Sequence, residues 1–452
     1  MTAMSSESAV LDAIAEEGPL DALARPPAQD AASPSDEPQM KTSSGRHAFA
    51  AMWTAAALSY CGDGVMLAAA PLAAATLTSD PRLISGLTVA ATLPWALFCL
   101  VSGAVVDRVD RIRLMWRIDL LRACLMIVLA LSFALGSPSI YLLFVAFFCL
   151  GTAETFFANA AQAALPSVVP ASALRSANAK LQSTELVLAQ FAGPPLGGLL
   201  FTVAASLPFV VDSTSFLLSA ALLLLIRRRP QPAAPRPAGR EPLRRQIAEG
   251  LAWLWKHPQL RVLAMFTGLV NLLTEATLSL LVIFSRDDLG MGNVGFGYLL
   301  AVAALGGVVA SVVGPRLSSR LGDRCTLIAV LGIQSVTQIV IFCSSSFALV
   351  AAALALAAFG IVVWNIVTIS LRQTIVPDHL LGRVNSVYRF VAWGTIPLGA
   401  AAGGIVAAAV GTRSLFLVSG LLLAGVSVLA IFLLRTASSE GSHSAVPKIF
   451  TT

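Results

Sequence analysis

Three carboxylates in this chain stand where a carboxylate is expensive. Asp63, Glu154 and Glu275 each fall near the middle of a long apolar run. An ionisable group at membrane depth points to function, because an unpaired buried carboxylate exchanges its charge for a proton and so couples to pH. Asn271 precedes Glu275 by four residues and shares its helical face, while Arg389 lies about a turn and a half into another apolar run. Together these five residues offer proton exchange and polar ligand recognition inside an apolar body. The alternative is that some of them only hydrogen-bond neighbouring helices, the reading that suits the amides Asn365 and Gln190. Asp119 and Arg122, three residues apart, read as a structural pair.

The elements that must position these groups are membrane helices. Of the 452 residues 57% are hydrophobic and only 12% charged, about half the charge of a soluble domain. A helical crossing needs about 20 apolar residues, and such runs fall near 48–77, 83–106, 114–135, 139–165, 183–204, 207–226, 259–284, 294–316, 325–343, 347–371, 384–410 and 412–434. The expected fold is therefore an all-α integral membrane protein with twelve transmembrane helices in two six-helix, pseudo-symmetric halves, 46–226 and 259–435. Between them lies a basic linker, 227–258, which begins Pro/Arg-rich and solvated and continues as an amphipathic helix bearing Trp253 and Trp255, suited to a membrane surface. The tails 1–45 and 436–452 are expected on the cytoplasmic side, the first disordered, with no cleavable signal peptide before the first span.

Lys and Arg fix that orientation. With both termini inside, Arg108, Arg111, Arg113, Arg117, Arg175, Lys180, the linker, Arg316, Arg320, Arg324, Arg372 and Arg383 fall inside, and only Arg82, Arg286 and Arg413 outside. The net charge of +6 is thus a topology signal and implies no nucleic-acid partner. The six cysteines read as small hydrophobes, without a disulfide or zinc pattern. No GxxxxGK[ST], HExxH or GxSxG occurs and the four histidines are scattered, so an ATPase, a membrane enzyme, a metal site and a bound cofactor are not expected.

The halves repeat. Aligning Val169-Pro170 with Val376-Pro377 superposes Leu174 on Leu381, Asn178 on Asn385 and Gly197 on Gly404, and GAVVDRVDRIR (103–113) has a weaker partner in GPRLSSRLGDR (314–324). A parallel repeat places a site between its halves. Gly103, Asp107, Arg108 and Arg111 resemble the G-x-x-x-D-R-x-x-R loop signature of the major facilitator superfamily, departing at Asp110 and Ile112. In that family the carboxylate faces the start of the eleventh helix, here near Gly382–Asn385, and Gly103 would permit close helix approach. Gly193-Pro194-Pro195-Leu196-Gly197-Gly198 is similar to the G-P-x-x-G-G signature of antiport-type exporters, a kinked hinge or leak barrier. With Gly62-Asp63 and EGLAWLWKHPQLR (249–261), the chain over about 48–434 resembles the enterobactin-exporter and macrolide-efflux-like branch.

That resemblance implies a monomeric secondary transporter in a bacterial-type cell membrane. It would export an amphiphilic small molecule (siderophore, macrolide or other drug-like compound) by alternating access and proton antiport. Its substrate and coupling groups would come from Asp63, Glu154, Glu275, Asn271 and Arg389. Conformational gating would fall to Gly103, Asp107, Arg108, Arg111, Gly193, Pro194, Gly197 and Gly198. The fourth span lacks the basic residue of many drug/proton antiporters. An uptake transporter of the same fold, or a transporter-derived sensor or scaffold without flux, are the alternatives.

Overall fold

Proline, glycine and caps divide the apolar chain into its helices. The computed structural model describes residues 43–106, 108–226 and 243–440. The expectations for most of the two tails, for the Pro/Arg-rich stretch 227–242 and for Asp107 lie outside the described residues. Helices α1 (Ser43–Leu77), α2 (Pro81–Val106), α3 (Arg111–Ala134), α4 (Ile140–Val168), α5 (Leu174–Val203) and α6 (Leu207–Leu225) form the first half. After α7 (Leu243–Lys256), helices α8 (Pro258–Asp288), α9 (Asn293–Leu321), α10 (Asp323–Cys343), α11 (Phe347–Ile375), α12 (Asp378–Val410) and α13 (Thr412–Glu440) form the second. No strand occurs among the described residues.

Eleven of these helices are long and apolar enough to cross a membrane. Of the other two, α7 is the linker helix and α3 carries Arg117, Asp119 and Arg122, which dilute its apolar run although it packs between α4 and α6 as a span would. Helix α5 corrects the expected boundaries, since it starts at Leu174, between the runs 139–165 and 183–204 expected to be the fourth and fifth spans. The cause is local: Val169 and Pro170 break the helix only briefly, and the following Leu, Ala, Lys and Gln residues favour its resumption.

The repeat predicted from the sequence is visible in the backbone. Val169 and Val376 are both extended, and each returns its N–H to the carbonyl four residues earlier, Leu165 at 3.1 Å and Arg372 at 2.9 Å. Packing repeats as well. Helix α2 lies on α4, α3 on α4 and α6, and correspondingly α9 on α11, α10 on α11 and α13. In the first half the glycines of α5 meet α1, a Cβ at Gly193 or Gly197 colliding with Gly64 or the Val65 carbonyl. In the second the glycines of α12 meet α8, a Cβ at Gly399 or Gly403 colliding with Leu272 or Ala276. Small residues allow backbones to approach closely where lipid supplies no hydrophobic drive between helices.

The bundle has a linker end, where α6 leads to α7, and a far end, where α1 turns into α2. At the far end one buried core is shared by both halves and includes Leu72, Phe209, Phe216, Phe284, Leu299 and Phe416. At the linker end the core divides. One part, with Met52, Met115, Ala160 and Leu223, belongs to the first half, and another, with Leu260, Leu331, Val363 and Val384, to the second. The α7 helix packs on α8 and α12 with Leu254 buried, so part of the apolar face assigned to a membrane surface is covered by protein instead. Trp255 remains 58% exposed.

Candidate functional site

The first half gathers its charge around Arg122. This guanidinium, 2% exposed, donates from Nη2 to Glu154 Oε2 at 2.6 Å and lies 3.8 Å from Asp119. Phe157 and Phe216 flank it at 4.6 and 5.3 Å, and Ser219 donates to Asp119 Oδ2 at 2.7 Å. Asp63, mid-way along α1, accepts from Ser59 at 3.3 Å, and Asp212 of α6 accepts from Ser215 at 3.3 Å. Glycine at position 62 makes room for this group, because a Cβ there would strike Asp212 and Ser215. Asp63, Asp119, Glu154 and Asp212 all lie near enough to act on the Arg122 charge. One cation is thus shared by four carboxyls from α1, α3, α4 and α6.

Glu154 departs from its expected character. It is neither unpaired nor deeply buried: its side chain is 42% exposed and binds Arg122. The i,i+3 spacing correctly joined Asp119 to Arg122, but the shorter bond goes across to α4, a contact that helical spacing alone does not reveal. Asp212 was missed altogether. The signal that could have found it is the one applied to Asp63, a lone carboxylate inside an apolar run.

The second half is differently furnished. Glu275, in the middle of α8, is half-buried and its carboxylate has no hydrogen bond or ion pair with a described residue. Asn271, one turn away, turns to α12 and donates to the Ala392 carbonyl at 2.6 Å. Arg389 is exposed and lies 5.0 Å from the Trp393 ring, which meets Trp95 of α2 edge-on at 4.8 Å. The expected carboxylates therefore do not converge on one point: Asp63 and Glu154 belong to the Arg122 cluster, while Glu275, Asn271 and Arg389 line the other half. Trp364 of α11 is buried and donates to Thr267 at 2.9 Å.

The gating motifs divide by their position. At the far end, Gly198 abuts the Asn293 carbonyl and Gly297 the Pro194 carbonyl, so α5 and α9 touch through backbone. A π-helical stretch, Leu186–Ala192, precedes the Gly193-Pro194 step and is the form the expected kink takes. At the linker end the expectation for Gly103 fails, since a Cβ there would find no atom within 4 Å beyond its own helix and chain neighbours; Gly382 and Gly394 are likewise open. The cause is the divided core, which leaves the Gly103 face of α2 open although Ser102 and Val106 beside it are buried. Arg108 is exposed, and Arg111 donates to the Ala163 carbonyl at 3.0 Å, tying the loop to α4. Asp110, which departs from the family glycine, caps α3 by accepting from the Arg113 N–H at 2.9 Å. An apolar groove of about 350 Å³ between α2 and α4, lined by Gly86, Leu93, Phe144 and Phe148, carries no charged side chain and lies apart from these groups.

Two like-packed halves with charge held at mid-depth define a multi-pass membrane protein of the transporter class. The family described as "Transmembrane secretion effector" matches residues 44–449, and the chain belongs to this family of major facilitator transporters. The multidrug efflux pump Tap of Mycolicibacterium fortuitum is 28% identical over 393 residues, 83% of this chain and 92% of that one. A bacterial homologue of the iron transporter ferroportin in its inward-facing state matches at TM-score 0.66 and 18% identity, over 86% of this chain and 98% of the other. The nucleoside transporter NupG matches at TM-score 0.68 and 12% identity, over 86% and 99%. The superfamily that the loop motif resembled is thus the family of the chain, and the shared fold is its two-half bundle.

Proposed function

We propose that this protein is a secondary active exporter that moves an amphiphilic, drug-like small molecule out of the cell by alternating access in exchange for protons. The observation that carries the reading is the divided core: halves joined at the far end and parted at the linker end describe one of the two states such a carrier needs. Similarity to a pump named for multidrug efflux supports the outward direction. The Lys and Arg distribution supports a cytoplasmic linker end, so the parted side faces the cytosol. Siderophores and macrolides remain within the substrate class.

Proton coupling is supported by two arrangements, four carboxyls about one guanidinium in the first half and Glu275 without a partner among the described residues in the second. Protonation relieves like-charge repulsion in the first and an unpaired charge in the second. In proteoliposomes with an imposed pH gradient, neutralising the coupling residue abolishes uphill transport and leaves downhill exchange measurable. Asp63→Asn, Glu154→Gln and Glu275→Gln are the variants to compare. Full uphill transport by all three would remove proton coupling through these groups. Orientation has its own test: in a background without native cysteines, Asp287→Cys should label from outside and Arg236→Cys should not.

A further inference from the structure

Arg372 is a buried cation with no anion beside it among the described residues. It sits one turn before the linker end of α11, is 8% exposed, and has Nε and Nη1 buried without any hydrogen-bond partner. Among the described residues only Tyr388 and Arg389 lie near enough to act on its charge, and neither supplies a carboxylate. Its guanidinium rests 3.7 Å from the Tyr388 ring. That ring is itself fixed, because the Tyr388 hydroxyl pairs with Thr267, which also accepts from Trp364 at 2.9 Å.

We propose that Arg372 and Arg389 form a binding site for an anionic oxygen group, a carboxylate, sulfonate or phosphate, at the linker end of the second half. Two arginines that repel each other, one of them buried with two idle donors, are held together at a cost that a bound anion offsets. A guanidinium is planar and offers parallel donors, the geometry that carboxylate and sulfonate oxygens accept in pairs. Arg389 extends the site towards the other half, since the Trp393 ring beneath it meets Trp95 of α2. An amphiphile could therefore set its anionic end on the arginines and its apolar body against the two tryptophans. This rests on the export reading and narrows its substrate to amphiphiles carrying an anionic group.

The test uses the full chain in nanodiscs of phosphatidylcholine, with hexanesulfonate, hexanol and hexyltrimethylammonium as probes at constant ionic strength. Hexanesulfonate alone should raise the unfolding temperature saturably, as a ligand of the folded state does. Its apparent affinity should fall at least about tenfold in Arg389→Gln, a change at an exposed position, and also fall in Arg372→Lys, which keeps the charge and loses the planar fork. If phosphatidylglycerol in the disc abolishes the hexanesulfonate shift, the anion of this site is a lipid headgroup and the substrate assignment is overturned. Equal shifts from all three probes, or a sulfonate shift unchanged in both variants, would overturn the site itself. Export is read separately. Charge-selective binding in a protein that transports nothing refutes the export reading and leaves the site standing, whereas undiminished export of anionic amphiphiles by Arg389→Gln removes the site from the substrate path.

Discussion

The two halves share a backbone plan and differ in how they hold charge. In the first, Arg122 is enclosed by carboxyls on four helices, and its bond to Glu154 ties α3 to α4. In the second, Glu275 and Arg372 stand in separate places and neither meets an opposite charge among the described residues. The repeat therefore specifies where helices meet, through paired glycines and the Val-Pro breaks, and leaves the polar interior free to diverge. A half whose buried cation is enclosed by carboxyls from four helices is suited to hold those helices together. A half with idle charges is suited to respond to a ligand or a proton.

The sharpest way to break this comparison is to remove one arginine from each half. Arg122→Gln leaves the buried Asp119 without its cation, and breaking a buried pair in this way costs about 3–5 kcal/mol. Arg372→Gln removes a cation that has only an aromatic face among the described residues, so its effect on stability should stay within about 1 kcal/mol. Thermal unfolding in detergent would compare them, and equal losses would show that the second half conceals a counter-charge.

The glycine contacts should instead behave alike. Gly197→Val places atoms against the Val65 carbonyl and Gly403→Val against that of Ala276, each forcing a helix pair apart. Overpacking of this kind costs about 1–3 kcal/mol. Unfolding measurements on the two variants should agree within about 1 kcal/mol, and a silent variant in one half would confine the packing symmetry to the other.

A smaller effect separates the two glutamates. Glu154→Gln weakens the bond to Arg122, but at 42% exposure of the Glu154 side chain the loss should be about 1 kcal/mol or less. Glu275→Gln removes a charge with no described partner and should leave stability unchanged or slightly raised, because a neutral amide is easier to bury. Glu275→Gln losing more stability than Glu154→Gln, measured by unfolding at neutral pH, would mean that Glu275 is bonded in the folded state.

Much of this plan was legible in the sequence, because it rests on local chemistry. Apolar runs near membrane length gave the helices, and the match of Val169-Pro170 to Val376-Pro377 gave the repeat. Asp63 and Glu275 were found as carboxylates out of place. What escaped depends on distance in the chain. Arg122 and Glu154 are 32 residues apart and no helical period connects them. Asp212 reaches the same cluster from α6, past the absent side chain of Gly62. Arg372 was counted with the loop charges, since its position near a helix end gave no sign that it turns inward. Gly103 misled for another reason: at the parted linker end its face of α2 is open, and no helix backbone approaches it.

The smallest effect tests how α7, the described part of the linker, grips the second half. Helix α7 packs on α12 and α8, with Gly250 against the Arg383 backbone and Glu249 paired with the Arg383 side chain. The ion pair is partly exposed, 29% and 44% for its two side chains, so water and salt screen it. Glu249→Gln should therefore cost no more than about 0.2–0.5 kcal/mol, and less at high salt. Gly250→Val acts on a contact that salt does not screen, since its side chain would meet the Arg383 carbonyl and lift α7 from α12. Protease cleavage within the linker should accelerate clearly in Gly250→Val and hardly in Glu249→Gln. If Glu249→Gln frees the linker as readily as Gly250→Val, the grip is electrostatic, and raising the salt concentration on the unaltered protein should release α7 in the same way.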